Sequence, residues 1–463
     1  MEETGTPSIS IAVAKDGKII WEKSFGWADI ENKVKATPHT MYHLGSLGKV
    51  YTATGIMLLK ERGLIDLDAP VNRYLGQEKL VAHEGDTNGA TVRRVLNHTS
   101  GLPWFWVHLY ENELEQRPSW DEVINQFGKL VSPPGDRYIY SNLGFGILGH
   151  VIERISKNPY HQFMETEIFK PLNLTRTIID TGPMTEDYIA QKYTPEGRVP
   201  YSDFISKGGG THYASAHDLV RFGMFHLANH LEDQEPILSD KSIHEMQNSS
   251  QSSTPKSYNI IGWHKSMKYG YTMVRHGGHV IGAVSNLELI PSKNIAVAVL
   301  SNGDKANTPL ICDWVLSKLL IGYRLMKIFP SWGAPKVNRF RPPPPLVGTW
   351  GGYIAISEKN LDVQLIIEEK GAVRLRYLNK NLQEERGAVS VKGSRLRFRR
   401  DILTGNFSLE IPTPFTNRYK HEAYIELKYR GNRLSGYISA LAMEPMKPHF
   451  CLPFYMRVEK LEE

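Results

Sequence analysis

Apolar and polar positions alternate at the start of the chain. "SISIAVAKDGKIIWEKSFGWAD" (Ser8–Asp29) holds two β-rich runs on either side of Lys15-Asp16-Gly17, and Asp-Gly is a strong two-residue turn signal, so this stretch predicts a hairpin. The period then changes. In "HLGSLGKVYTATGIMLLKERG" (His43–Gly63) the apolar positions Ile56, Leu58 and Leu59 follow a helical spacing and stop at Gly63,. From about Asp66 to Thr254 the pattern predicts mostly helices and long loops. Its clearest helical stretches are "GFGILGHVIERIS" (Gly144–Ser156) and "SAHDLVRFGMFHLANHL" (Ser215–Leu231),. Alternation returns between Tyr269 and Gly303, where the apolar runs Ala283–Ile290 and Ile295–Leu300 flank the turn Pro291-Ser292-Lys293-Asn294,. An amphipathic segment from about Leu310 to Ile328 follows Pro309, which suits a helix start,. Strands at both ends of this unit with helices between them predict an α+β fold whose sheet is assembled from the two ends.

A boundary follows. "FPSWGAPKVNRFRPPPPL" (Phe329–Leu346) is proline-rich and therefore stiff and extended,. The reading is residues 1–330 as the α+β unit, 331–345 as a linker, and 346–463 as a second domain. In that last part "LVGTWGGYIAI", "LDVQLIIEEKGAVRLRYL", "AVSVKGSRLRFRRDI", "FSLEIP", "EAYIELKYRGNRLSGYISA" and "FYMRVEKL" are short alternating runs separated by Gly or Asn turns. Evenly spaced strands of this kind predict an antiparallel barrel or sandwich, and a barrel is the reading preferred here.

Composition adds little to this picture. A chain of 463 residues has room for two or three domains with full cores. Its two cysteines, Cys312 and Cys451, stand far apart and in no ligand spacing, which argues against a disulfide framework or a Cys-based zinc site. The net charge of +6 is mild, and the excess of basic residues lies beyond Lys336,. "RLRFRR" (Arg395–Arg400) alternates with Leu396 and Phe398, as a strand with one solvated face does,. No nucleic-acid partner is therefore expected. No apolar run approaches the ~18 residues of a membrane span, and no signal peptide precedes "MEETGTPSISIAVAKDG",. The compartment stays open between cytoplasmic and exported with a leader removed.

Three short motifs carry candidate chemistry. Ser46 and Lys49 lie three apart at the start of a helix, on one face and within reach of each other,. A serine hydroxyl needs a base, and lysine can serve if burial lowers its pKa. A helix N-terminus offers free N–H groups to an oxyanion. Alone, S-x-x-K is a weak signal that reads as a capping serine beside a surface lysine. Next come Tyr140-Ser141-Asn142, where a phenol can relay a proton and an amide can hold the lysine and a substrate carbonyl,. Alone, they read as a buried aromatic beside a turn. Third is His276-Gly277-Gly278-His279, where the glycines admit a substrate backbone to a sheet edge and the next N–H can be a second oxyanion donor,. Alone, this is a strand bulge. His98, in "NHTSG", reads as a structural turn residue, and the aromatics of "LPWFWVHLY" (Leu102–Tyr110) read as pocket lining or loop packing,.

In this order the set Ser46-Leu47-Gly48-Lys49, Tyr140-Ser141-Asn142 and His276-Gly277-Gly278 resembles the serine β-lactamase and penicillin-binding-protein superfamily,. The nearest likeness is to its class C-like branch of esterases, D-aminopeptidases and D-stereospecific peptidases. "VLNHTSGLP", "IFKPLNLTRT" and "GGGTHYASAHDLVRFG" are similar to the same branch, over roughly residues 5–325. The domain opening with "VGTW" resembles the lipocalin-like barrel attached to some peptidases of that branch. Two positions depart from the pattern: Gly48 stands where serine is common, and His279 where a small residue is common.

The resemblance implies an antiparallel sheet flanked by helices, with a helical subdomain, followed by the barrel. It also implies a serine hydrolase acting through an acyl-enzyme on a small ester or amide. Ser46 is the expected nucleophile, with Lys49 and Tyr140 sharing its proton. The N–H groups of Ser46 and His279 would hold the oxyanion. Asn142 would position Lys49 and the substrate, and His276 would tune Tyr140 or meet a substrate carboxylate, with Gly277 and Gly278 giving access. No metal or organic cofactor is required. The expected partner is a small molecule or short peptide, and homo-oligomerisation stays open. β-Lactamase or penicillin-binding activity, acyl transfer, and a catalytically silent sensor or scaffold are the alternatives.

Overall fold

A computed structural model describes residues 1, 4–183, 188–228, 231–248, 257–323, 340–356, 360–378, 391–413, 415–416, 419–442 and 449–462. The first hairpin forms as its turn signal requires. Strands Ser8–Lys15 and Lys18–Asp29 meet at Asp16-Gly17, whose φ values of 49° and 74° fit a two-residue turn between twisted strands,.

The two ends of the α+β unit join in one sheet. Its antiparallel order is Ser257–Asn259, His264–Lys268, Tyr271–Val280, Ala283–Ile290, Ile295–Ser301, Ser8–Lys15, Lys18–Asp29, Val34–Lys35. The seam sets Ala12 opposite Ala298. Alternation then sorts the side chains. Ile11, Val13, Val297 and Val299 face Cys312 and Leu316 of the helix Thr308–Leu319. Ala12, Ala14, Ala296 and Ala298 face the other layer, which contains Leu219, Val220 and Phe222 of the helix Ala216–Phe225. The first of these helices is shorter than the amphipathic pattern to Ile328, and residues 324–328 lie outside the described part. The second ends at Phe225, short of Leu231.

The helix Gly48–Glu61 is buried from Gly48 through Leu59, as expected for a helix apolar on nearly every side. It packs against the helix Asn142–Ser156. Among the described residues, no helix is long and apolar enough to cross a membrane.

Most of the linker, residues 331–339, lies outside the described part. The chain beyond it forms a nearly closed antiparallel barrel. Its strand order is Val391–Lys392, Val373–Tyr377, Asn360–Ile367, Gly348–Ala355, His449–Lys460, Arg433–Ala442, Glu422–Arg430, Ile402–Phe407, Ser394–Arg399. The first and last of these strands are separated along the chain by Gly393 alone, which brings the two ends of the sheet together. Trp350, Leu365, Leu375, Ile425 and Ile438 fill the interior. Arg395, Arg397 and Arg399 are exposed while Leu396 and Phe398 are half-buried, so "RLRFRR" is a strand with a solvated face. The strand expected at Phe407–Pro412 lies earlier, at Ile402–Phe407. Arg400 and Asp401 make the preceding turn with positive φ, although no glycine marks it.

The barrel is continuous with the first unit. Its strand His449–Lys460 runs on to pair with Trp106–Tyr110, setting His449 against His108 and Cys451 against Trp106. Polar contacts reinforce the join: Arg137 to Glu426 at 2.5 Å, and Asp136 to Lys428 and Arg430 at 2.8 and 3.0 Å. Arg137 and Asp136 belong to the loop that leads into Tyr140.

Candidate active site

Ser46 lies in a short 3-10 turn, Gly45–Leu47, that feeds directly into the helix Gly48–Glu61. The turn is clamped from two sides. Leu44 N–H donates to His212 O at 2.8 Å, and Ser285 Oγ donates to Leu44 O at 2.6 Å. One helical turn on, Lys49 is fully buried. Its Nζ lies 3.1 Å from Ser46 Oγ and donates to Gly209 O at 2.5 Å. Burial holds the lysine pKa well below its ordinary value, because an ammonium is poorly solvated there. A neutral amine can accept the serine proton.

Tyr140 is the third candidate side chain. Burial pushes its pKa up, and the nearby Ser46 partly offsets that push. Tyr140 therefore stays a neutral phenol, suited to passing a proton rather than holding a charge. The ring lies 5.0 Å from Lys49 Nζ. The Tyr140 turn is fixed by His98, whose Nδ1 accepts the Ser141 N–H at 3.1 Å and whose ring packs on Tyr140 at 4.4 Å. Ser141 Oγ adds a bond to Pro103 O at 2.8 Å and caps the next helix by accepting Gly144 N–H at 3.0 Å. His98 thus acts as a turn residue, and what it holds in place is the phenol.

Asn142 begins that helix and lines the same cavity. Its Oδ1 is buried with no partner among the described residues. A buried acceptor left bare costs about 1–3 kcal/mol, so it is suited to a substrate N–H.

The third motif enters on the strand Tyr271–Val280. A Cβ at Gly278 would lie 1.8 Å from Leu44 O, so only glycine lets this strand close on the nucleophile turn,. The contact brings the His279 main chain beside Gly45, 3.0 Å from N to an ideal Cβ there. Gly277 pairs with Asn286. His276 is buried, with Nδ1 against Gly277 O at 2.7 Å and its ring 4.9 Å from His264. Burial pulls both imidazoles below their ordinary pKa, His264 to about 4.

Ser46, Tyr140, Asn142, His276, Gly277, Gly278 and His279 all line one cavity of about 860 Å³, and Lys49 lies behind it, a volume in the usual ligand-site range. Sequence reasoning missed three residues at or behind it, Gly209, His212 and His449. Gly209 supplies the carbonyl for Lys49, and the "GGG" run before Thr211 was its only signal. His212 packs against Gly48. His108 and His449 join Trp104, Trp106 and Phe204 in an aromatic wall. The rings of His108 and His449 sit 5.4 Å apart, and burial keeps both neutral, His449 at about 4. "LPWFWVHLY" thus supplies pocket lining through Trp104, Trp106 and His108, while its Phe105 packs into the core.

Comparison with known proteins identifies the family and the fold. A model of the family described as Beta-lactamase matches residues 1–319. Protein flp of Staphylococcus aureus (strain MRSA252) is 25% identical over 335 residues, covering 68% of this chain and 63% of that protein. The chain therefore spans less than two thirds of the length of that curated relative. The octameric penicillin-binding protein homologue from Pyrococcus abyssi shares the fold with a TM-score of 0.61 at 23% identity, over 98% of this chain and 97% of that one. The D-stereospecific amidohydrolase from Streptomyces sp. has a TM-score of 0.51 at 24% identity, over 65% of this chain and 91% of that one.

Proposed function

The chain belongs to the beta-lactamase family, and from that premise we propose that it is a serine hydrolase forming an acyl-enzyme on a small ester or amide, as an esterase or a D-amino-acid-specific peptidase. The observation that carries this reading is the 3.1 Å contact between Ser46 Oγ and the buried Lys49 Nζ. Ser46 gives its proton to the neutral amine as Oγ bonds to the substrate carbonyl carbon. The carbonyl oxygen becomes an oxyanion held by the N–H groups of Ser46 and His279, each worth about 10²–10³ in rate. The proton passes through Tyr140 to the leaving oxygen or nitrogen, and that bond breaks. Water then repeats the sequence and frees the acid.

Two features narrow the substrate. The bare Asn142 Oδ1 favours a substrate with an amide N–H near the scissile carbonyl. The neutral aromatic wall favours an uncharged, apolar or aromatic group beside it. Together they lean toward a short peptide or N-acyl amino-acid derivative, and likeness to a D-stereospecific amidohydrolase supports testing the D-series first. Penicillin-binding activity is the second reading, favoured by likeness to a penicillin-binding protein homologue over nearly the whole chain. That homologue is octameric, which makes self-association part of the proposal.

The test is intact mass after brief exposure to a fluorophosphonate, with Ser46→Ala as control. One adduct on Ser46, absent from the variant, is the expected result, and a panel of esters, D- and L-peptides and β-lactams then assigns the substrate. No adduct at neutral to mildly alkaline pH would overturn the hydrolase reading.

A further inference from the structure

Away from the catalytic cavity, three side chains from three elements converge on one point. The short ladder between Met41–His43 and His212–Ser215 pairs His43 with Tyr213, Tyr42 with Ala214 and Met41 with Ser215. Just beyond the ladder, His39 precedes the first of these strands and His217 stands in the first turn of the helix Ala216–Phe225 that follows the second. The two segments stay together past the ladder, because His217 N–H donates to Pro38 O at 3.2 Å. The imidazole rings lie 4.6 Å apart. Glu22 arrives from the strand Lys18–Asp29, with Oε2 2.9 Å from His217 Nδ1. One ligand atom from each of the three residues lies within 4.8 Å of the other two.

We propose that Glu22, His39 and His217 bind a divalent transition-metal ion of the zinc type. Two imidazole nitrogens and one carboxylate oxygen suit zinc, whereas calcium and magnesium take oxygen donors. Zinc bonds of about 2.0–2.2 Å in a tetrahedron set the donors roughly 3.3–3.6 Å apart. The Glu22–His217 pair, hydrogen-bonded at 2.9 Å, must open by about 0.5 Å, and the widest separation, at most 4.8 Å, must close by about an ångström, both within reach of small side-chain rotations,. His39 is exposed, and Glu22 and His217 are 28% and 27% exposed at the side chain. An ion can therefore enter, and water can fill the fourth position.

The site joins the first hairpin to the two segments that frame the nucleophile turn. Met41–His43 leads into Gly45–Leu47, and His212 carries the carbonyl that anchors Leu44. A bound ion would act as a staple at the base of that frame, stabilising the folded chain by mass action.

The experiment uses the full chain, freed of metal by chelator dialysis and titrated with Zn²⁺ by calorimetry and with Co²⁺ by visible absorption. One equivalent of either ion is expected, with the d–d bands of tetrahedral Co²⁺ and a melting temperature that rises with Zn²⁺ concentration. Glu22→Gln, His39→Ala and His217→Ala should each weaken binding by at least about tenfold, while circular dichroism in chelator shows each variant folded. Absence of saturable one-equivalent binding would overturn the proposal. So would equal binding by the wild type and all three variants, since the ion would then sit on other histidines.

Discussion

His212 occupies the space that a side chain at position 48 would need: a Cβ on Gly48 would lie 2.3 Å from His212 Nδ1. The imidazole is not free to yield. Thr52 Oγ1 donates to Gly208 O at 2.7 Å, Tyr160 OH lies 2.7 Å from Thr52 Oγ1, and His212 Nε2 lies 3.1 Å from Tyr160 OH. Each hydroxyl has one proton, so the donor chain runs from His212 Nε2–H through Tyr160 and Thr52 to the carbonyl. That leaves Nδ1 as a bare lone pair against Gly48. Burial, with Lys49 nearby, pulls the His212 pKa to about 3. Gly48 and His212 therefore form one packing unit behind Ser46.

Gly48→Ser, which installs the residue common at this position in similar hydrolases, is expected to destabilise the protein by about 1–3 kcal/mol through overpacking and to slow modification of Ser46. His212→Ala should cost stability alone but recover part of the Gly48→Ser loss in the double variant. Melting temperatures for the four proteins decide the matter. Strictly additive effects would mean that the two positions do not share this space.

In the proposed mechanism, Lys49 sets function against stability. The unfolded lysine binds a proton below a pH of about 10.4, whereas burial keeps the folded one neutral well below that pH. The folded state therefore carries a penalty at pH 7 that vanishes above the unfolded pKa. Lys49→Met retains the volume and removes the penalty. Hydrolysis should fall by about 10²–10⁴, and the melting temperature at pH 7 should rise. A variant both inactive and less stable would show that the amine's bonds to Ser46 and Gly209 outweigh its desolvation.

The main hairpins and the three motifs were legible because their signals are local. Asp16-Gly17 names its turn, and Ser46 with Lys49 needs only one turn of helix to meet. The sheet seam between Ala12 and Ala298 was legible as a class of fold, since apolar alternation recurs at the two ends of the unit. The partners of Lys49 and Gly48 were not. Gly209 and His212 reach them across more than 150 residues of chain, through a carbonyl and a ring packing that no period encodes. The same holds for His449, which no sequence motif singles out. Only the register with His108 brings it to the candidate cavity.

That register makes the barrel part of the cavity wall. His449 lines the cavity with Trp106 and His108, and its ring lies 5.7 Å from Trp106. Replacing it by alanine should open the wall and lower kcat/KM for substrates with a large aromatic group by about tenfold, the scale of a lost aromatic contact of about 1.5 kcal/mol. Small acetyl substrates should change little. His449→Asp should go further against apolar groups, since a carboxylate would face the wall. Equal losses on large and small substrates would place the effect in folding, and unchanged selectivity would remove His449 from recognition.

Glu288 gives a prediction of opposite sign to the buried lysine. It is 1% exposed and sits beneath the third motif, paired across the strands with Arg275. Asn286 Nδ2 donates to its Oε1 at 3.0 Å, and its Oε2 has no partner among the described residues. Burial raises its pKa from 4.5 to about 7, against the lowering pull of Asn286 and Arg275. The folded state keeps a proton there that the unfolded chain has lost. This group's contribution is therefore fully present below pH 4.5 and is lost as pH rises through about 7,. Glu288→Gln preserves shape and the Asn286 contact but removes the titration. Relative to wild type it should gain on the order of 3 kcal/mol at pH 8 and little below pH 4.5, read by chemical denaturation across that range. A constant difference at every pH would mean that the carboxyl is already charged in the folded protein, with Arg275 as its counter-ion.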